Sequence, residues 1–358
     1  MNTGQRIEAF SKLGESLSKI LVAKESEELH YSKACMKFHK LIQTVHYTNP
    51  WFIEEYVRLS IKALSELLNF DVLSNWCLEY PELQNEKSKA NKIAVISAGN
   101  LPLVGFHDFL TVLIAGDEYQ GKLSSRDNLL PVSVAELLIE IEPDFSSLIS
   151  FTEDKLSDFD AVFATGSNNS ARYFDYYFGK YPNIIRKNRT SIAILDGKES
   201  SGELDGLADD IFLYFGMGCR NVSKLYVPAG YSFNFFFETM ERYNWLLNHH
   251  KFMNNHQYNR VIYLVNSDEH LDNNFLLVKK DKATSSPIAV LHYESYEDLS
   301  LLIPEIEAKE NELQCIISHT ASRLKVFPFG SAQFPGIMDY ADGIDTMKFL
   351  IQLKKDNK

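Results

Sequence analysis

Residues 92–116 read KIAVISAGNLPLVGFHDFLTVLIAG, and the order of events within this stretch decides the fold class. A short apolar strand, KIAVISAG (92–99), runs through Asn100 into an apolar stretch of helical length that Gly116 stops. The same alternation then repeats. A short strand around EYQGKLS (118–124) precedes the helix NLLPVSVAELLIEI (128–141), and the strand DAVFATG (160–166) leads straight into SNNSARYFDYYFGKYP (167–182). Ser167 is placed to cap that helix, and Gly179 with Pro182 to end it. SIAILDG (191–197) follows as a further strand. Strand and helix in strict succession specify parallel βαβ units, so the fold class is α/β, with open and mostly parallel sheets.

Upstream, residues 5–70 carry apolar side chains at helical spacing (Ile7, Phe10, Leu13, Leu17, Ile20; Val57, Ile61, Leu64, Leu68) and read as several helices. PELQNEKSKANK (81–92) is polar and aperiodic, which marks a surface connection. Downstream, GELDGLADDIFLYFGMG (202–218) reads as a helix with acidic residues in its first turns, and SKLYVPAG (223–230) as the strand after it. YSFNFFFETMERYNWLL (231–247) is rich in aromatics, but at helical spacing such a stripe is core packing rather than a lipid-binding face. KKDNK (354–358) is expected to fray, and no internal repeat is visible. A chain of 358 residues exceeds what one hydrophobic core serves. The expected division is a nucleotide-binding lobe over 1–196, to which the chain returns at 320–358, and a catalytic lobe over 197–319, with the active site in the cleft between them.

The formal charge of -12 argues against a nucleic-acid partner, which needs a concentrated positive field. No stretch approaches the ~20 apolar residues that cross a bilayer, and the N-terminal residues have no apolar run after their charges. Cys35, Cys77, Cys219 and Cys315 are widely spaced without a CxxC, as in a reduced, cytoplasmic chain. His249, His250 and His256 lack a carboxylate or cysteine at ligand spacing, so they read as surface residues and no metal is expected.

Three places can carry chemistry. Thr165-Gly166-Ser167 ends a strand at a helix start, where free N–H groups and the helix dipole suit a pyrophosphate or serve an ordinary capped turn. Gly216-Met217-Gly218-Cys219-Arg220 lies between a helix and a strand. A cysteine there is either inert packing or, as a thiolate supported by Arg220 and nearby helix ends, a nucleophile. Asn100 stands at the carboxyl end of a parallel strand, either as a helix cap or as an amide donor to an oxyanion.

Taken in order, AGNLPLVGF, GKLSSRD, ATGSNNSARYF, YFGMGCRNVSKLYVP and FPFGSAQFPGIMDYADG (327–343) resemble the aldehyde dehydrogenase superfamily. Their wording is similar to its acyl-CoA reductase branch, the LuxC-type fatty-acyl reductases, over about residues 50–350. The resemblance implies Cys219 as the acylated nucleophile, Asn100 as side-chain donor of the oxyanion hole, and Lys122, Gly166 and Ser167 as cofactor contacts. Ser124, Ser125 and Arg126 follow the lysine strand. Where NAD-preferring relatives carry an acid, Ser125 and Arg126 admit a 2'-phosphate, which implies NADPH, with NADH as the alternative. The water-activating glutamate of hydrolytic relatives falls at Ile194, with Asp196 or Glu199 as substitutes, and the glutamate that positions the nicotinamide ribose falls at the non-acidic 283–286. The resemblance therefore implies an acyl-CoA reductase that converts an acyl thioester to an aldehyde. The rivals are a hydrolytic NAD(P)-dependent aldehyde dehydrogenase and a non-catalytic scaffold of the same fold. The family's oligomerisation hairpin looks abbreviated, which leaves a homodimer as one expected assembly.

Overall fold

The structure is a computed structural model that describes residues 1–22, 32–84, 89–321 and 323–357, with only the backbone at Asn168. The chain forms two compact units, Met1–Lys187 with Gly336–Lys358, and Asn188–Pro335. In the first unit, helices α1 (Thr3–Val22), α2 (Lys33–Thr44), α3 (Glu54–Leu67) and α4 (Phe70–Leu78) precede the sheet. Then come β1 (Lys92–Ile96), α5 (Phe106–Ile114), β2 (Glu118–Lys122), α6 (Leu130–Ile141), β3 (Ile149–Phe151), β4 (Ala161–Thr165), α7 (Asn168–Phe178) and β5 (Asn183–Arg186). The strand order is β3-β2-β1-β4-β5, and every pair is parallel. The order reverses between β1 and β4, so the carboxyl ends of those two strands open the crevice in which ligands bind to such sheets.

The predicted apolar spacing of α1 becomes a core. Phe10, Leu13 and Leu17 are buried, and the Phe10 ring meets Phe109 and Phe145 edge-on at 6.2 and 5.6 Å. Helix α5 is buried nearly all round. Its one acid, Asp108, is tolerated there because Arg186 holds it with two hydrogen bonds of 2.6 and 2.9 Å.

The second unit contains β6 (Thr190–Ile194), α8 (Ser201–Phe212), β7 (Val222–Pro228), α9 (Asn234–Met240), α10 (His250–Asn266), β8 (His270–Asp272), β9 (Leu277–Lys280), β10 (Val290–Tyr296), α11 (Leu299–Glu307) and β11 (Leu313–Ile317). Its sheet runs β11-β6-β7-β10-β9-β8, parallel except for the antiparallel β8–β9 pair at one edge. The chain then re-enters the first unit as α12 (Thr346–Asp356), whose Met347, Leu350 and Leu353 are buried in that unit's core.

Several expectations are corrected. The chain divides at Lys187 and Gly336, where 196 and 320 were expected, because TSIAI (190–194) forms β6 and pairs with β7 and β11 of the second sheet. The tail is not frayed through Asp356, since α12 includes Lys354, whose ammonium lies 3.1 Å from the buried Asp117. Lys358 lies outside the described residues, as do 85–88 of the expected surface connection. His256 is buried rather than exposed and bonds Asp272 at 2.9 Å, while His249 caps α10. The aromatic stretch is α9 followed by a 3-10 segment, with Phe236, Met240, Tyr243 and Leu246 buried. Among the described residues no helix is long and apolar enough to cross a membrane.

Candidate active site

Helix α8 ends at Phe212, and the chain must reverse before β7 begins at Val222. It does so through three successive residues in the left-handed region, Tyr214 (φ 54°), Phe215 (φ 60°) and Gly216 (φ 72°). Glycine adopts this conformation freely, whereas each of the two aromatic residues costs about 1–2 kcal/mol there. Such strain persists only where the surroundings over-determine it. Here they do, because Phe215 is buried and stacks on His249 with ring centroids 4.2 Å apart. The Asn221 amide adds a second clamp. It donates to the carbonyls of Asp210 (3.1 Å) and Leu213 (2.9 Å), and its oxygen accepts the Gly218 N–H at 2.8 Å. Cys219 lies on the far side of this reversal and is exposed.

The exposed thiol rests on a fixed base. Ser191 of β6 donates its hydroxyl to the Cys219 carbonyl (2.9 Å) and accepts the Cys315 N–H (3.0 Å), which ties the turn to two strands. Arg220, expected to support a thiolate at its neighbour, instead engages the Ala332 carbonyl at 3.2 Å and the Cys315 sulfur at 3.4 Å, with its guanidinium 5.6 Å from the Phe327 ring centroid. The 327–333 stretch docks on α8 next to this turn. Asp210 accepts the N–H groups of Gly330 (2.7 Å) and Ala332 (3.0 Å), and a Cβ at Gly206 would stand 2.8 Å from the Phe329 carbonyl carbon. Residue 206 must therefore be glycine for the two backbones to touch. Burial pushes the Asp210 carboxyl up to about 7, against the pull of its two N–H donors.

Ser191 of β6 pairs with Val222, so the amino end of β6 lies beside Cys219. Ile194 is packed among Ile192, Tyr226 and Leu302. Asp196 lies beyond the other end of the strand, about 16 Å further along at 3.3 Å per residue. There Asp196, Glu199 and His319 bring their polar atoms within 4.8 Å of one another. Burial opposes protonation of His319, but hydrogen bonds to Glu203 (2.6 Å) and Asp196 outweigh it and raise its pKa, so the cluster is built as an ion-paired network.

In the first unit the Gly166–Ser167 turn leads into α7 with the expected serine cap. Ser167 caps α7 by accepting the Ser170 N–H at 3.1 Å, and a Cβ at Gly166 would stand 2.9 Å from Phe174 and Ser170. Lys122 ends β2 and donates to the carbonyls of Glu153 (3.2 Å) and Asp154 (2.7 Å). The next turn is braced by Asp127 N–H to the Ser124 carbonyl (3.0 Å) and by Arg126 N–H to the Ser124 hydroxyl (3.3 Å). Ser125 and Arg126 are exposed. Asn100 is not a helix cap, because α5 begins only at Phe106 with Gly105 as its cap. Its loop is fixed from below. The buried Asp127 accepts the N–H of Leu103 (2.7 Å), itself left-handed at φ 58°, and a Cβ on Gly99 would collide with the Ser124 side chain.

Cavities of about 860 and about 1130 Å³ share Lys122 as a wall. The Gly166–Ser167 turn stands at the strand-order reversal, the place where open parallel sheets bind ligands.

The two parallel sheets and their connections have counterparts among solved structures. HpcC from Thermus thermophilus superposes with a TM-score of 0.64 at 12% identity over 90% of this chain and 71% of that one. The NAD-dependent aldehyde dehydrogenase of Sinorhizobium meliloti gives 0.62 at 14% identity over 89% and 71%. Aldehyde dehydrogenase 21 from Physcomitrella patens, in complex with the reaction product succinate, gives 0.61 at 12% identity over 97% and 84%. The fold is aldehyde dehydrogenase-like. No family model and no curated protein matches the chain. Within this aldehyde dehydrogenase-like framework, sequence reasoning missed Ser191, Asp210, Asn221 and Asp127. Asn221 had a signal, standing two residues from Cys219, whereas Ser191 meets Cys219 only through pairing between strands.

Proposed function

We propose that the chain reduces an acyl thioester, with coenzyme A as the acyl carrier, to an aldehyde through an acyl-enzyme on Cys219. The observation that carries this reading is an exposed thiol held on a strained turn that buried aromatic packing and Asn221 fix in place. The Cys219 sulfur, as thiolate, attacks the thioester carbonyl, and the carbonyl oxygen takes up negative charge. In this reading the Cys219 N–H and the Asn100 amide donate to that oxygen, and its collapse expels the CoA thiolate. Lys122, Ser124, Ser125, Arg126, Gly166 and Ser167 hold the nucleotide, NADPH in preference to NADH. When bound, the nucleotide supplies a hydride to the acyl carbon. Collapse to the aldehyde then returns the thiolate to Cys219.

The resemblance of GCRNVSKLYVP to the LuxC-type reductases supports the thioester substrate, as does the apolar, core-packed Ile194 at the position where the resemblance puts the water-activating glutamate of hydrolytic relatives. A second reading, oxidation of an aldehyde to a free acid, is favoured by the names of the structural neighbours. Intact-protein mass spectrometry after incubation with acyl-CoAs distinguishes the two. The thioester reading expects an acyl adduct on the wild type that Cys219→Ala lacks. An adduct retained by that variant, or NAD(P)-linked aldehyde oxidation that proceeds fully without CoA, would overturn it.

A further inference from the structure

A small cavity of about 20 Å³ is bordered by Ser97, Leu103 and Gly105 of the loop that carries Asn100, and it shares only Leu123 with the walls of the cavity of about 860 Å³. Phe106, Phe109, Pro131 and Val134 make most of its remaining lining apolar. Asp127 is the exception. It borders the cavity while only 5% exposed, and its Oδ2 accepts the Leu103 N–H at 2.7 Å. Its Oδ1 is buried with no hydrogen-bond partner among the described residues. An unpaired buried oxygen costs about 1–3 kcal/mol, more when it carries charge, so this one calls for a donor. Ser97 follows β1 directly, and its buried hydroxyl lies beside the Tyr119 phenol and against Gly105, where a Cβ would stand 2.4 Å from it. A water molecule needs roughly 10–15 Å³ and two or more polar partners, which is what this cavity provides. A metal cation requires more oxygens than the side chains of Asp127, Ser97 and Tyr119 bring. The loop itself needs support. Leu103 is left-handed at φ 58°, which costs a leucine about 1–2 kcal/mol and persists only where neighbours enforce it. Burial pushes the Asp127 carboxyl up to about 7, so near neutral pH it has a proton to donate as well as lone pairs to accept.

We infer that this cavity binds one water molecule, which bridges Asp127 Oδ1 and the Ser97 hydroxyl, and that both side chains are positioning residues for the loop carrying Asn100. The water site stands on the cavity alone, whereas the positioning role rests on Asn100 acting as oxyanion donor in the thioester reading. A high-resolution crystal structure of the full-length protein is expected to show one density peak about 2.6–3.0 Å from both oxygens. Ser97→Ala and Asp127→Ala should lose the peak. Asp127→Asn should keep it, because the new amide can still accept from Leu103 while donating to the same water. Backbone hydrogen exchange over residues 97–105 should be about tenfold faster in the two alanine variants than in the wild type or Asp127→Asn. With acyl-CoAs as probes, the maximal rate of adduct formation on Cys219 should fall about tenfold or more in the alanine variants at an unchanged half-saturating concentration, with Asp127→Asn restoring it. Loss of folded protein would instead lower the final amount of adduct and leave the rate constant alone. A wild type without the peak, a peak and slow exchange that survive both alanine variants, or contacts near 2.4 Å from a bound cation overturns the water site. Adduct rates that stay at the wild-type value in the alanine variants overturn the positioning role. A wild type that shows the peak and the slow exchange but forms no adduct removes the thioester reading and upholds the water bridge.

Discussion

Asp127, in the turn after β2, and Asp210, in the last turn of α8, are buried carboxyls beside the candidate site, and both are pushed up to about 7 chiefly by loss of water. Each folded-state value exceeds the ordinary carboxylate value of about 4, so the folded protein holds these protons more tightly than the unfolded chain does. Stability is therefore highest near and below pH 4 as far as these groups are concerned, and falls as pH climbs through about 7. Asp127→Asn keeps an acceptor for the Leu103 N–H but carries no charge. Its thermal midpoint should gain on the wild type steadily between roughly pH 4.5 and pH 8, with Asp210 leaving a residual slope in both proteins. Melting curves that stay parallel across this range would show that Asp127 does not titrate there. Asn221 acts differently, through geometry alone. Asn221→Ala strips hydrogen bonds from the buried carbonyl of Asp210, from the carbonyl of Leu213 and from the Gly218 N–H, at a cost of about 2–4 kcal/mol. It should lower the denaturation midpoint and slow acyl-adduct formation on Cys219, whereas an unchanged adduct rate would separate the clamp from the thiol's reactivity.

At the scale of elements, β1, α5, β2, α6, β4 and α7 follow the pattern of the sequence because their signals are local, whereas the short β3 carried no such signal. Apolar runs, a serine cap and a glycine stop each act within one turn of the chain. The partners of Cys219 are not local. Ser191 reaches it because β6 pairs with β7, and the same pairing moved SIAIL from the first lobe to the second, a fact invisible to any window of sequence shorter than the β-pairing itself. Asn100 and Ser167 were legible as candidates because each stands at the end of a strong strand signal. Asp127 was not, since nothing local marks an aspartate as the support of a loop more than twenty positions away. Contact between α8 and the 327–333 stretch was equally hidden, and it yields a direct test. Gly206→Ala adds one methyl group where the Phe329 backbone leaves no room, so the loop must shift and the Asp210 hydrogen bonds loosen. A loss of about 1–3 kcal/mol is expected in denaturant unfolding, together with faster proteolysis in residues 327–333. Wild-type stability in this variant would mean that α8 and the loop can part without penalty.

At the scale of the whole molecule, the second unit is one continuous stretch set inside the first, whose core needs α12 after the interruption. Leu350 and Met347 are fully buried there, Phe349 meets Phe163 at 5.6 Å, and Lys354 neutralises Asp117, whose carboxyl burial pushes up to about 6. Leu350→Ala should cost about 2–5 kcal/mol, and the loss should fall on the transition of the first unit while the second keeps its own. A uniform shift of a single transition would mean that the two units unfold together. On the ribosome this arrangement sets an order of events. The strands of the first sheet emerge early but cannot seal their core until the last helix has been translated, so Phe163 and its neighbours wait uncovered while the intervening unit, whose chain is contiguous, is free to fold. The first sheet is therefore completed only after the unit that follows it, and a nascent chain stalled before α12 is the form a chaperone would meet.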